Sequence, residues 1–186
     1  MNAMKRIFQN KSYQKMSRSQ RHKIGVDFVN AAGCGGDLDQ VKAYVKRGVD
    51  VEVQKSDSWR AIHYASCYGH LHIIKYLVED CQANVLAKEK NGWVPLHFAS
   101  QFGHLDIVKY FIQDCQVKAT IKDNLGWTPL HVTSQNGHLN IVQFLVDECG
   151  VDTSLTTNLG NNACTVARDH GKQNIVDYLS NVPKKV

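Results

Sequence analysis

Nine histidines and six cysteines in 186 residues are the side chains here best suited to chemistry. Imidazoles and thiolates ligate transition metals, and a thiolate next to a base is a nucleophile. Their spacing argues against both uses. His63, His97 and His131 recur every 34 residues, as do His70, His104 and His138, and as do Cys81, Cys115 and Cys149. A metal draws its ligands to within about 2 Å of one point, whereas the rungs of such a ladder sit in separate units roughly 10 Å apart. Cys34, Cys67 and Cys164 complete the cysteines; no CxxC pair occurs, and reduced, mostly packed thiols are expected, with Cys67 the most reactive. No G-x-S-x-G, H-E-x-x-H or glycine-rich phosphate loop is present. The chain therefore reads as non-enzymatic, with no metal and no cofactor.

The element that positions these ladders is a tandem repeat, because Trp59, Trp93 and Trp127 and Gly69, Gly103, Gly137 and Gly171 share the same 34-residue step. Within one unit, the Thr128 hydroxyl is placed to cap a helix that starts at Pro129, where a missing N–H costs nothing. Gly137 suits the left-handed conformation that ends it, and Leu139, Val142, Leu145 and Val146 then make the apolar stripe of a second helix. A polar stretch such as "KDNLG" (122–126) suits a projecting hairpin before the next unit. Two short helices cannot bury their apolar faces alone, so the units must stack on a continuous core.

"WVPLHFASQFGHLDIVKYF" and "WTPLHVTSQNGHLNIVQFL" resemble the ankyrin repeat, with its T-P-L-H-x-A segment followed by G-H-L-x-I-V. The resemblance implies an all-α solenoid of stacked helix–turn–helix units with projecting hairpin loops, about five repeats including caps. These are expected at 26–57 (N-terminal cap), 58–91, 92–125, 126–159 and 160–182 (C-terminal cap), with 183–186 a tail. In the second unit "RAIH" stands for TPLH, and in the last Asn162-Ala163-Cys164-Thr165 does, while Ser180 interrupts the apolar stripe as an outward-facing cap allows. After the second helix, "CQANVL", "CQVKAT" and "CGVDTS" are one residue longer than the common pattern, so a slightly altered turn is expected there. The same pattern places Glu52, Leu86, Thr120 and Ser154 where many ankyrin repeats carry a hydroxylated asparagine, which makes that modification unexpected.

The family resemblance also assigns a concave, partner-binding face to the hairpin tips, the tryptophan positions and the ends of the first helices. In this chain the face comprises Asp57, Trp59, Tyr68, Lys90, Asn91, Trp93, Gln101, Phe102, Asn124, Leu125, Trp127, Gln135, Asn136, Asn161, Asp169 and His170. Aromatic residues interleaved with amides match the composition of binding hot spots. The plainer alternative is that each indole folds back and braces its own hairpin. Two narrower readings are an aromatic cage of Trp93, Trp127 and Phe102 for methylated lysine, and a host-directed effector of an intracellular microbe acting by protein binding.

Charge divides the chain. Residues 1–25 hold seven of the 22 basic residues and no acid, which leaves 15 basic against 17 acidic residues in the repeats. The expected partner is another protein or peptide bound by a monomer. Contact with nucleic acid or anionic lipid is expected only through this basic N-terminal arm, read as flexible or loosely helical, because the repeats carry no basic stripe. No apolar run approaches the roughly 18 residues that span a bilayer, nor does the N-terminus read as a secretory signal. An intracellular protein, cytoplasmic and nuclear, is expected.

Overall fold

The computed structural model describes residues 11–182; the first ten residues of the arm and the 183–186 tail lie outside them. A short helix α1 (Lys11–Gln14) precedes α2 (Arg18–Asn30). Helix α2 starts within the stretch assigned to the arm, because Ser17 caps it: the Ser17 hydroxyl accepts from Gln20 N, and the Gln20 side chain accepts from Ser17 N. It runs into a wider turn (Ala31–Gly35), and α3 (Leu38–Lys46) follows, capped by Asp37. Thereafter the elements come in pairs. They are α4 (Ala61–Cys67) with α5 (Leu71–Lys75), α6 (Pro95–Gln101) with α7 (Leu105–Lys109), α8 (Pro129–Asn136) with α9 (Leu139–Gln143), and α10 (Ala163–Asp169) with α11 (Gln173–Asn181).

The chain divides into two units, one ending at Lys90 and one beginning at Asn91. In the first, Phe28, Ile62, Ile73, Ile74 and Leu77 are fully buried between α2, α3 and the α4–α5 pair. In the second, α6, α8 and α10 pack side by side and bury Leu96, Ile107, Phe111, Leu130, Ile141, Leu145 and Ile175. Each second helix is too short to bury its stripe without the neighbouring pair, which is the stacking the repeat requires.

The extra residue after the second helix is accommodated by a change of helical pitch. Helices α5, α7 and α9 each continue into a π-helical turn, at Tyr76–Asp80, Tyr110–Asp114 and Phe144–Glu148. Its wide bonds include Cys115 N to Tyr110 O and Cys149 N to Phe144 O. A left-handed residue then closes the helix at Gln82, Gln116 and Gly150. Helix α3, whose unit lacks the insertion, stays α-helical throughout and closes at Gly48.

At the starts of α4, α6 and α8 a repeated histidine takes part in the cap, whereas α10 is capped by the Asn162 side chain, which accepts from Thr165 N. His63, His97 and His131 are buried; each Nδ1 accepts the backbone N–H three residues earlier, from Arg60, Val94 and Thr128. The Thr128 hydroxyl does not accept a helix N–H as the sequence suggests, but donates to His131 Nδ1 at 2.8 Å. The opposite nitrogens donate to carbonyls of the following loop: His63 Nε2 to Ala87 O (2.8 Å), His97 Nε2 to Trp127 O (3.2 Å) and His131 Nε2 to Leu155 O (3.0 Å). The second histidine ladder ties neighbouring first helices, with His70 Nε2 on Gly33 O and His138 Nε2 on Gln101 O, both at 2.8 Å. The ring nitrogens of His63, His97 and His131 are thus engaged mainly with backbone groups, which leaves little for chemistry.

Candidate interaction surface

Hairpins and first helices present the sequence-derived residues, and their tips are joined by backbone bonds. Lys90 N donates to Asp57 O in the first unit; Asn124 N donates to Asn91 O, and Asn158 N to Leu125 O, in the second. Each tip turns through a left-handed residue. Gly92, Gly126 and Gly160 take this position at φ +85°, +78° and +80°, while Ser58 takes it in the second repeat at φ +66°.

In the first unit, Asp57 and Lys90 are exposed and paired at 3.8 Å. Trp59 is half-buried and packs edge-on against Tyr64, with ring centres 4.9 Å apart. Tyr68 is half exposed, stacks on His70 and accepts a hydrogen bond from the Cys34 thiol at 3.2 Å. Cys67, the expected reactive thiol, is instead held protonated: burial pushes its pKa up to about 12. Cys34 is the exposed cysteine, and all six are free thiols.

In the second unit the two indoles have different surroundings. Trp93 packs against Phe98 with ring centres 5.1 Å apart, and its indole N–H donates to Asp123 Oδ2 at 2.8 Å. Asp123 Oδ1 also accepts from Leu125 N and Trp127 N, both at 2.8 Å, so this carboxylate fastens the hairpin and braces Trp93 together. One repeat later the carboxylate is replaced by Thr157 and the ring by Val132. Trp127 keeps only the edge of His131, at 6.1 Å, and its indole N–H meets no acceptor among the described residues. Both indoles are half-buried.

Around them, Phe102 is 51% exposed, Leu125 64% and Leu159 86%. Asn91 and Asn124 are exposed, and Gln101 and Asn161 half-buried. Gln135 donates to His170 Nε2 at 3.0 Å, which His170 permits because its Nδ1–H is given to Val166 O. Asn136 is half-buried, and its amide donates to Val132 O of its own helix. Asp169 is exposed and is the one carboxylate among the second unit's assigned residues, which include no lysine or arginine. Lys122, on the same hairpin as Leu125, donates to Thr156 O. Leu159 and Asp123 fall outside the sequence-derived set, although Leu159 shares the register of Leu125 and Asp123 lies 30 residues after the indole it holds. Among the described residues no group of three or more His, Cys, Asp or Glu side chains is arranged to hold a metal ion, and no helix is long and apolar enough to cross a membrane.

The pattern of the ankyrin repeats, in three copies, matches residues 28–123 and 111–185. The chain belongs to the ankyrin-repeat family. Ankyrin repeats serve as scaffolds for protein–protein interaction, and the coarse function of this chain follows from that membership. It is similar to the mitochondrial liver isoform of glutaminase from Rattus norvegicus, 37% identical over 70 residues, or 38% of this chain and 12% of that protein. It is also similar to the Notch-regulated ankyrin repeat-containing proteins of Xenopus tropicalis and Homo sapiens, 42% identical over 43 residues, or 23% of this chain and 38% of each relative. The chain thus spans well under half the length of these relatives, and the ankyrin likeness carries no glutaminase activity with it.

Proposed function

We propose that this chain is a non-enzymatic binding module whose second unit receives a partner protein or peptide on the hairpin and first-helix face. The observation that carries the proposal is the exposure of Phe102, Leu125 and Leu159 beside a tryptophan whose N–H is unused. Large apolar side chains grouped on one surface of a folded domain mark interaction sites more often than idle surface. The division of labour between indoles supports a mixed reading: Trp93 braces the hairpin, and Trp127 is available to a partner. Trp59, Tyr68, Asp57 and Lys90 make the corresponding face of the first unit. The methylated-lysine cage draws no support from Trp93, whose ring is packed on Phe98 and whose N–H is taken.

The test is affinity capture from cell extract with the intact chain and with a Phe102→Ser/Leu125→Ser variant of matched thermal stability. Both side chains are largely exposed, so the variant is expected to fold. Partners retained by the intact chain and absent from the variant are the expected result. Identical partner sets would overturn the proposal.

A further inference from the structure

Six residues of the second unit's face carry groups that the fold leaves uncommitted. Phe102, Leu125 and Leu159 are exposed apolar side chains. The Trp127 indole N–H and the side-chain amides of Gln101 and Asn161 meet no hydrogen-bond partner among the described residues. None of the six is charged. Leu125 and Leu159 occupy one register position of successive repeats, and Trp127 and Asn161 occupy another.

Repetition fixes the pitch a ligand must have. First helices packed side by side, as α6, α8 and α10 are, step roughly 8–10 Å from axis to axis. A polyproline II segment presents the same face every three residues, about 9.3 Å along its axis, and so meets one repeat per turn. A β-strand repeats its face after two residues, about 6.7 Å, and drifts out of register. Two turns of α-helix, about 10.5 Å, also fit the step. A helix, however, satisfies its own backbone and would bury the Trp127 N–H and the two amides without partners, which is strongly unfavourable. A polyproline II backbone has no internal hydrogen bonds, so its carbonyls are free to accept from these donors.

Resting on the binding face proposed above, we infer that this face of the second unit selects an uncharged, extended segment of polyproline II form with an apolar side chain at every third residue. Two such side chains, three residues apart, lie on Leu125 and Leu159, and backbone carbonyls one turn apart accept from Trp127 Nε1–H and the Asn161 amide.

The experiment uses the full chain and four fluorescein-labelled probes read by anisotropy. They are (Leu-Pro-Pro)4, (Lys-Pro-Pro)4, (Glu-Pro-Pro)4, and an alanine-rich helical peptide with leucines seven residues apart. Saturable binding of the leucine–proline peptide alone is expected, changing less than twofold between 50 and 500 mM NaCl, because no ion pair contributes. Trp127→Phe, which keeps a ring and removes the N–H, should weaken it about fivefold. Should that variant not fold, Leu159→Ala, at a site 86% exposed, replaces it with the same expectation. Binding of a charged probe equal to that of the leucine peptide, loss of binding in salt, or indifference to both variants would overturn the inference. Binding of the helical peptide in its place, weakened by Phe102→Ala, would overturn the extended form while leaving the binding face standing. If no probe binds but partner capture still depends on Phe102 and Leu125, the inference alone fails; if capture fails too, both do.

Discussion

Lowering the pH from 7 to 5 should destabilise this protein through its buried histidines, and His63 gives the magnitude. It has no exposed surface, and its neutral form is built into the fold, with Nε2–H donating to Ala87 O and Nδ1 accepting Arg60 N–H. Protonation would place a proton on Nδ1 facing that N–H. Burial, opposed in part by the bond to Ala87, lowers its pKa from 6.5 to about 4. The folded value is depressed, so the unfolded chain takes up the proton first, and stability is lost as pH falls from about 6.5 toward 4. Between pH 7 and 5 this histidine alone withdraws about 2 kcal/mol. His97 and His131 are shifted in the same direction by burial and add to the loss. Asp37, lowered first by the Gln40 backbone N–H, acts in a more acidic window, where its carboxylate is protonated. Urea unfolding followed by circular dichroism at half-unit steps from pH 7.5 to 5 reads the slope. His63→Gln should lower stability overall yet make that slope shallower. A flat or rising profile, or an unchanged slope in the variant, would refute the reasoning.

Other outcomes follow from single positions. Asp123→Ala removes the acceptor for Leu125 N, Trp127 N and Trp93 Nε1, and should cost about 2–3 kcal/mol in denaturant unfolding, with a changed Trp93 fluorescence maximum. Ser58→Gly relieves a side chain held at φ +66° where three sister repeats carry glycine, and should add about 0.5–1 kcal/mol to the same measurement. Iodoacetamide with peptide mapping should label exposed Cys34 well before Cys67, whose thiol burial holds near pKa 12.

The repeat and its core were readable from a 34-residue period shared by histidine, glycine, tryptophan and cysteine, because each stacked unit solves the same packing problem. What depends on one neighbour was not. The extra residue in "CQVKAT" announces an irregularity, but whether it enters the loop or widens the last helical turn is decided by packing, and the helix takes it. Thr128 has the chemistry of a cap, but its hydroxyl turns to His131 Nδ1, which also accepts Thr128's own backbone N–H while the other ring nitrogen is pinned to the next loop. The start of α2 was legible in Ser17 and Gln20, a capping box that the strong basic charge of the arm obscures. The tryptophan ladder gave the candidate surface but no way to tell brace from binder. That distinction rests on Asp123 against Thr157, residues 30 positions downstream of the rings they serve or fail to serve.

The most direct measurement of where a partner sits is site-specific photocrosslinking in cell extract. A benzoylphenylalanine is placed at Leu125, on the hairpin tip, or at Gln113, an exposed residue on the π turn that ends a second helix. The account expects a discrete protein adduct from position 125 and none from position 113. An adduct from position 113 alone would contradict it.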